Sequence, residues 1–79
     1  MGFETKLFKW KKYGIAFRLS TLRFNDCVLE RDFGKYKKGT KVEAIYIDFE
    51  ESTIKFYKNY ISYPYATFKF KPVEIELII

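Results

Sequence analysis

In Thr67-Phe68-Lys69-Phe70-Lys71 rings alternate with polar side chains at every step, and that period of two suits an extended strand with one buried face. The same period recurs where Ile54 and Phe56 stand against Lys55 and Tyr57, and where Ile15, Phe17 and Leu19 stand against Ala16, Arg18 and Ser20. Residues 2–10 alternate more loosely and read as a first strand. Residues 42–49 are apolar on both faces around Ala44 to Ile47, the mark of a central strand. No apolar pattern of helical period persists for ten residues. The fold class that follows is mainly β: a small antiparallel β-barrel or two-layer sheet of five to seven short strands.

Turn chemistry divides these runs. Lys11-Lys12-Tyr13-Gly14 reads as a basic turn and residues 34–41 as a glycine-punctuated basic loop. Asp48-Phe49-Glu50-Glu51-Ser52 reads as a tight acidic turn that joins two strands into a hairpin. Asn25-Asp26 fits either a hairpin turn or the cap of a short helix over residues 26–33, in which Val28, Leu29 and Phe33 would share a side. Pro64 and Pro72 interrupt the chain further on. The last strand, from residue 73 to 79, is expected to turn Val73, Ile75 and Leu77 inward.

A chain of 79 residues is one domain, residues 1–79, with a thin stability margin. Its means of closing a small core are nine Phe, seven Tyr and one Trp, each ring removing roughly 150–250 Å² from water when buried. So many rings exceed what a domain of this size can hide, so some are expected at the surface. Cys27 is the only cysteine and excludes an internal disulfide; it reads as a reduced thiol in a cytoplasmic protein. No run approaches the ~20 apolar residues of a membrane-spanning helix.

Catalysis and metal binding have little to work with. The chain has no His, so acid–base work would fall to carboxylates, Lys or Tyr, and Asp48, Glu50 and Glu51 read as solvated turn charges. No Ser or Cys has a base to activate it, and a metal would lack His and a second Cys. Gly34 and Gly39 match neither a P-loop nor a dinucleotide fingerprint and read as turn glycines. A non-enzymatic binding module without a cofactor is the expectation.

The net charge of +5 favours acidic partners. Lys9, Lys11 and Lys12 flank Trp10 and Tyr13; Lys35, Lys37, Lys38 and Lys41 surround Tyr36. Lysines neutralise phosphates and exposed rings stack on bases, so these clusters point to nucleic acid. Tyr60, Tyr63 and Tyr65 around Pro64 point elsewhere, because a tyrosine-rich loop is a good protein contact.

The order of a strand, a short capped turn, Gly34-Lys35-Tyr36-Lys37-Lys38-Gly39-Thr40-Lys41-Val42-Glu43 and an acidic-turn hairpin resembles the swapped-hairpin domains of AbrB-type transition-state regulators and antitoxins over residues 15–58. The resemblance implies an intertwined homodimer that binds DNA through basic residues of the first strand and beyond it, positions held here by Arg18 and Arg23. Lys-Gly-Thr-Lys-Val is also common in SH3-like barrels, where it turns the chain into a strand.

Two functions follow. In the first, a nucleic-acid-binding module uses Lys9, Lys11, Lys12, Arg18, Arg23, Lys35, Tyr36, Lys37, Lys38 and Lys41. In the second, a small inhibitor or adaptor of the kind carried by phages and mobile elements covers an acidic surface on a larger host protein through Tyr60, Tyr63 and Tyr65. A structural subunit, completed in an assembly through Leu77-Ile78-Ile79, is a third reading.

Overall fold

The computed structural model describes residues 2–16, 20–58 and 62–78, and among these the regular structure is almost wholly strand. Eight strands follow one another: β1 (Gly2–Thr5), β2 (Phe8–Lys9), β3 (Lys12–Ile15), β4 (Thr21–Leu29), β5 (Lys41–Asp48), β6 (Thr53–Tyr57), β7 (Ala66–Lys69) and β8 (Ile75–Ile78). A single 3-10 turn, Pro72–Glu74, precedes the last. A six-stranded antiparallel sheet has the order β2-β4-β5-β6-β7, with β3 also on β4, and β1 and β8 form a separate two-stranded ribbon. The expected mainly β, two-layer architecture is what forms.

The period-two pattern does its work in β5 and β6. Ile45 and Ile47 pair with Phe56 and Ile54 across the hairpin, and all four are fully buried. Phe24 and Leu22 extend these rows from β4. The core lies between this inner face and a second layer made of the ribbon and the loop of residues 30–40. Ile75 of the ribbon is buried in the core. Phe33 of the loop is buried with its ring 5.6 Å from that of Phe56 and 5.6 Å from that of Phe68. An Arg31–Glu74 ion pair of 2.6 Å joins the loop to the 3-10 turn.

Four local expectations are corrected. The short helix near residues 26–33 does not form, and Asn25-Asp26 makes neither a hairpin turn nor a cap: β4 runs unbroken to Leu29, gripped by β2 on one side and β5 on the other. Pairing on both sides of a strand outweighs three apolar residues at ambiguous spacing. The first strand is two, because Thr5 Oγ1 accepts the Leu7 amide and donates to the Glu74 carbonyl, turning the chain from the ribbon into the sheet. Lys12, Tyr13 and Gly14 are not a turn but belong to β3, whose Ile15 is 61% exposed rather than buried because β3 has a partner on one side only among the described strands. Val73 sits in the 3-10 turn and is 84% exposed, while Ile75 takes the inward position as expected; the side chain of Leu77 and residues 17–19, with Phe17 and Leu19, lie outside what is described.

One device shapes the sheet. On β4 the buried apolar positions are Leu22 and Phe24, then Cys27 and Leu29, so the alternation slips by one between them. Asp26 causes the slip: its φ of 55° lies in the left-handed region that Asp tolerates better than most residues. The neighbouring strands slip at the same level. Val42 and Ile45 are the buried partners of Cys27 and Phe24, and Tyr13, stacked on Phe24 at 5.4 Å, follows Trp10 by three residues. The result is a crease running across three strands.

Candidate nucleic-acid interface

The outer face of the six-stranded sheet, turned away from the core, carries most of the basic residues expected to bind. Register fixes their positions. Lys9, Val28 and Lys41 form one cross-strand row. Lys12, Asn25, Ala44 and Tyr57 form the next, and Gly14, Arg23, Tyr46, Lys55 and Thr67 another. At the crease between the first two rows, a shallow depression is lined by Lys11 and Lys41 together with Asp26 and Glu43. The slip at Asp26 matters here, because it leaves Lys11, in the connection, and Lys12, at the start of β3, outward in succession, and Asn25 and Asp26 outward on β4.

Arg23 is held in place. Its Nε donates to Asn25 Oδ1 at 2.9 Å, an Nη donates to Tyr46 Oη at 3.0 Å, and its guanidinium lies 5.5 Å from the centre of the Tyr46 ring. Tyr46 in turn sits against Tyr57, ring centres 4.4 Å apart and planes inclined at 45°. Both tyrosines are half-buried, so each keeps part of a ring surface at the solvent boundary. Two rim cations are partnered: Lys9 with Glu30 at 3.4 Å and Lys55 with Glu51 at 3.5 Å. Exposed pairs of this kind are worth little and are readily exchanged for a stronger anion.

The remaining basic set lies in the other layer. Tyr36 bridges to Phe33, and its ring makes edge contacts with Phe56, Tyr65 and Phe68 at 5.7, 5.8 and 6.3 Å. That ring is committed to packing. Lys35 lies over it at 5.5 Å, Lys37 pairs with Asp32 at 3.6 Å, and Lys38 is exposed beside them. The Lys38 amide on Asp32 Oδ1 holds that carboxyl below its ordinary pKa, with Lys37 adding to the effect. The structure therefore separates Lys35, Tyr36, Lys37 and Lys38 from the outer-face group of Lys9, Lys11, Lys12, Arg23 and Lys41.

The tyrosine segment also divides. Tyr63 is 68% exposed, whereas Tyr65 packs on Tyr36 and Phe56, with burial first, then Tyr36 and Glu43, pushing its hydroxyl pKa up. Tyr60 and Arg18 lie outside the described residues. Sequence reasoning missed Tyr46 and Tyr57 as site residues. Their signal was present: each occupies the outward phase of a strand whose alternate positions, Ile45 and Ile47 or Ile54 and Phe56, fill the core. Comparisons with family models, with curated proteins and with solved structures find no match. Among the described residues no helix is long and apolar enough to cross a membrane.

Proposed function

We propose that this chain is a non-enzymatic, nucleic-acid-binding module whose contact surface is the outer face of the six-stranded sheet. The observation that carries the reading is the cross-strand register, which collects Lys9, Lys12, Arg23, Lys41 and Lys55 on one face although they are scattered over five strands, with Lys11 of the connection beside them at the crease. Phosphates exchange condensed counterions for such a row of cations, and binding then weakens as salt is raised. Asp26 and Glu43 are the opposing outward charges at the crease, so the face remains basic.

The test is anisotropy of labelled mixed-sequence oligonucleotides, single- and double-stranded, over a salt series, with the protein's mass in solution recorded alongside. Binding that falls with salt and is clearly weakened in the Lys11→Glu, Lys41→Glu double variant supports the reading. An absence of binding at low salt overturns it. A second reading, a protein-binding inhibitor or adaptor, is favoured by the exposed ring of Tyr63 in the segment beside Pro64. A host protein captured by the wild type and not by Tyr63→Ser would support that alternative.

A further inference from the structure

We infer that the nucleic acid taken up by this face is a single strand, with an unpaired base laid against the Tyr46–Tyr57 pair and phosphate held by Arg23 and its neighbours. The inference rests on the proposed nucleic-acid reading and narrows it from a polyanion to a strand whose bases are free.

The arrangement of ring and charge supports it. Tyr46 has Arg23 as its cross-strand neighbour on one side and Lys55 on the other, and Tyr57 shares its row with Lys12 and Asn25. Adjacent strands stand about 4.8 Å apart, so the backbones that carry Arg23 and Lys55 are roughly 10 Å apart with Tyr46 on the strand between them. A duplex presents phosphates and keeps its bases stacked inside, so it would engage the cations and make no use of the solvent edges of the rings. A single strand can satisfy both, its backbone on the lysines and a base on a ring, and stacking of this kind accepts any base.

Arg23 is suited to the same ligand. Its two bonds, to Asn25 and Tyr46, fix the plane of the guanidinium and leave three of its five N–H groups unclaimed among the described residues. A pre-oriented fork loses little freedom when it meets a phosphate or the edge of an unpaired base. Reading a duplex through its major groove calls for a projecting helix or two-stranded ribbon. The described chain has no α-helix, and the β1–β8 ribbon has Ile75 buried in the core on the opposite side of the sheet.

The experiment compares oligodeoxythymidylate, oligouridylate and a mixed-sequence duplex of equal length on the full chain at one low salt concentration. The wild type is expected to bind a thymidylate or uridylate strand at least tenfold more tightly than the duplex. Whichever strand binds better identifies DNA or RNA as the natural source, and both outcomes support the inference. Tyr46→Leu and Tyr57→Leu are each expected to weaken single-strand binding about tenfold while leaving duplex binding unchanged. Tyr46→Phe and Tyr57→Phe, which keep the ring, should restore most of the single-strand affinity, and they serve as the folded control should a leucine variant unfold. Equal affinity for strand and duplex, or leucine variants that bind the strand like the wild type, overturns the inference. If salt-sensitive binding that the Lys11→Glu, Lys41→Glu variant weakens persists in that case, the broader proposal stands and only the single-strand assignment fails. No binding to any of the three probes overturns both.

Discussion

At the scale of single residues, Asp26 carries two effects that substitution can separate. Its backbone sits at φ 55°, where Asn and Gly are comfortable and a β-branched side chain is not. Its carboxylate is exposed among the outward lysines of the crease. Asp26→Asn should therefore leave the denaturation midpoint close to wild type while tightening oligonucleotide binding, because only the negative charge is lost. Asp26→Val should lower stability by about 1–2 kcal/mol through the strained backbone. An Asp26→Val protein as stable as the wild type would show that the crease does not depend on the left-handed residue. Next to it, Cys27 is buried, and that burial pushes its thiol from 9.0 up to about 12, against a lowering contribution from the Ile45 backbone and a further rise from Asp26. A thiol whose folded pKa is raised keeps its proton while the unfolded chain gives it up. Stability from this group is unchanged below pH 9.0 and declines as pH climbs from there towards about 12. Measured against Cys27→Ala at each pH, the wild type should lose on the order of 1 kcal/mol per unit within that window. A constant difference between the two proteins across the window would rule the linkage out.

At the scale of elements, the β5–β6 hairpin was legible because alternation, turn chemistry and β-branched content agree there, and Asp48 accepts the Glu50 and Glu51 amides in the turn itself. Residues 26–33 were not legible, because Val28, Leu29 and Phe33 fit a helical spacing in so short a segment and the choice is made by strands distant in sequence. Membership of the candidate site was half legible for the same reason. The basic residues announce themselves, but assignment to the outer face or to the loop depends on register and on where Phe33 and Tyr36 insert. The loop has its own requirement. Gly34 sits at φ 55°, and a Cβ there would lie 3.2 Å from Cε1 of Phe68, one of the rings that the loop covers. Gly34→Ala should cost about 1–2 kcal/mol from the backbone conformation, with the Phe68 contact adding to it. Gly14, in β3, would meet nothing within 4 Å, so Gly14→Ala is the control and should be neutral or slightly stabilising. Equal thermal midpoints for the two alanine variants would mean that the loop does not press on Phe68 as described.

At the scale of the whole molecule, the two layers divide the labour between packing and charge. Phe8, Phe24, Phe33 and Phe56 are fully buried between the layers and close a core that 79 residues could not otherwise fill. The outer face of the sheet is left free to be polar, and the placement of charge on it, rather than the total of +5, is what should govern binding. Salt dependence can tell these apart. For a single strand the slope of log affinity against log salt is roughly −0.7 per phosphate neutralised, so engagement of about four outer-face cations predicts a slope near −3. The Lys11→Glu, Lys41→Glu variant should flatten that slope by about 1.4 units as two contacts are lost. The loop variant carrying Lys35→Glu, Lys37→Glu and Lys38→Glu removes more total charge, yet should keep a slope near that of the wild type, since those lysines ride on the other layer. A loop variant flattened more than the face variant would mean that net charge alone drives association, and the outer face would lose its claim to be the site. Leucine at Tyr46 or Tyr57 should act differently from both, lowering affinity at every salt concentration with the slope intact, because a ring that stacks on a base releases no counterion.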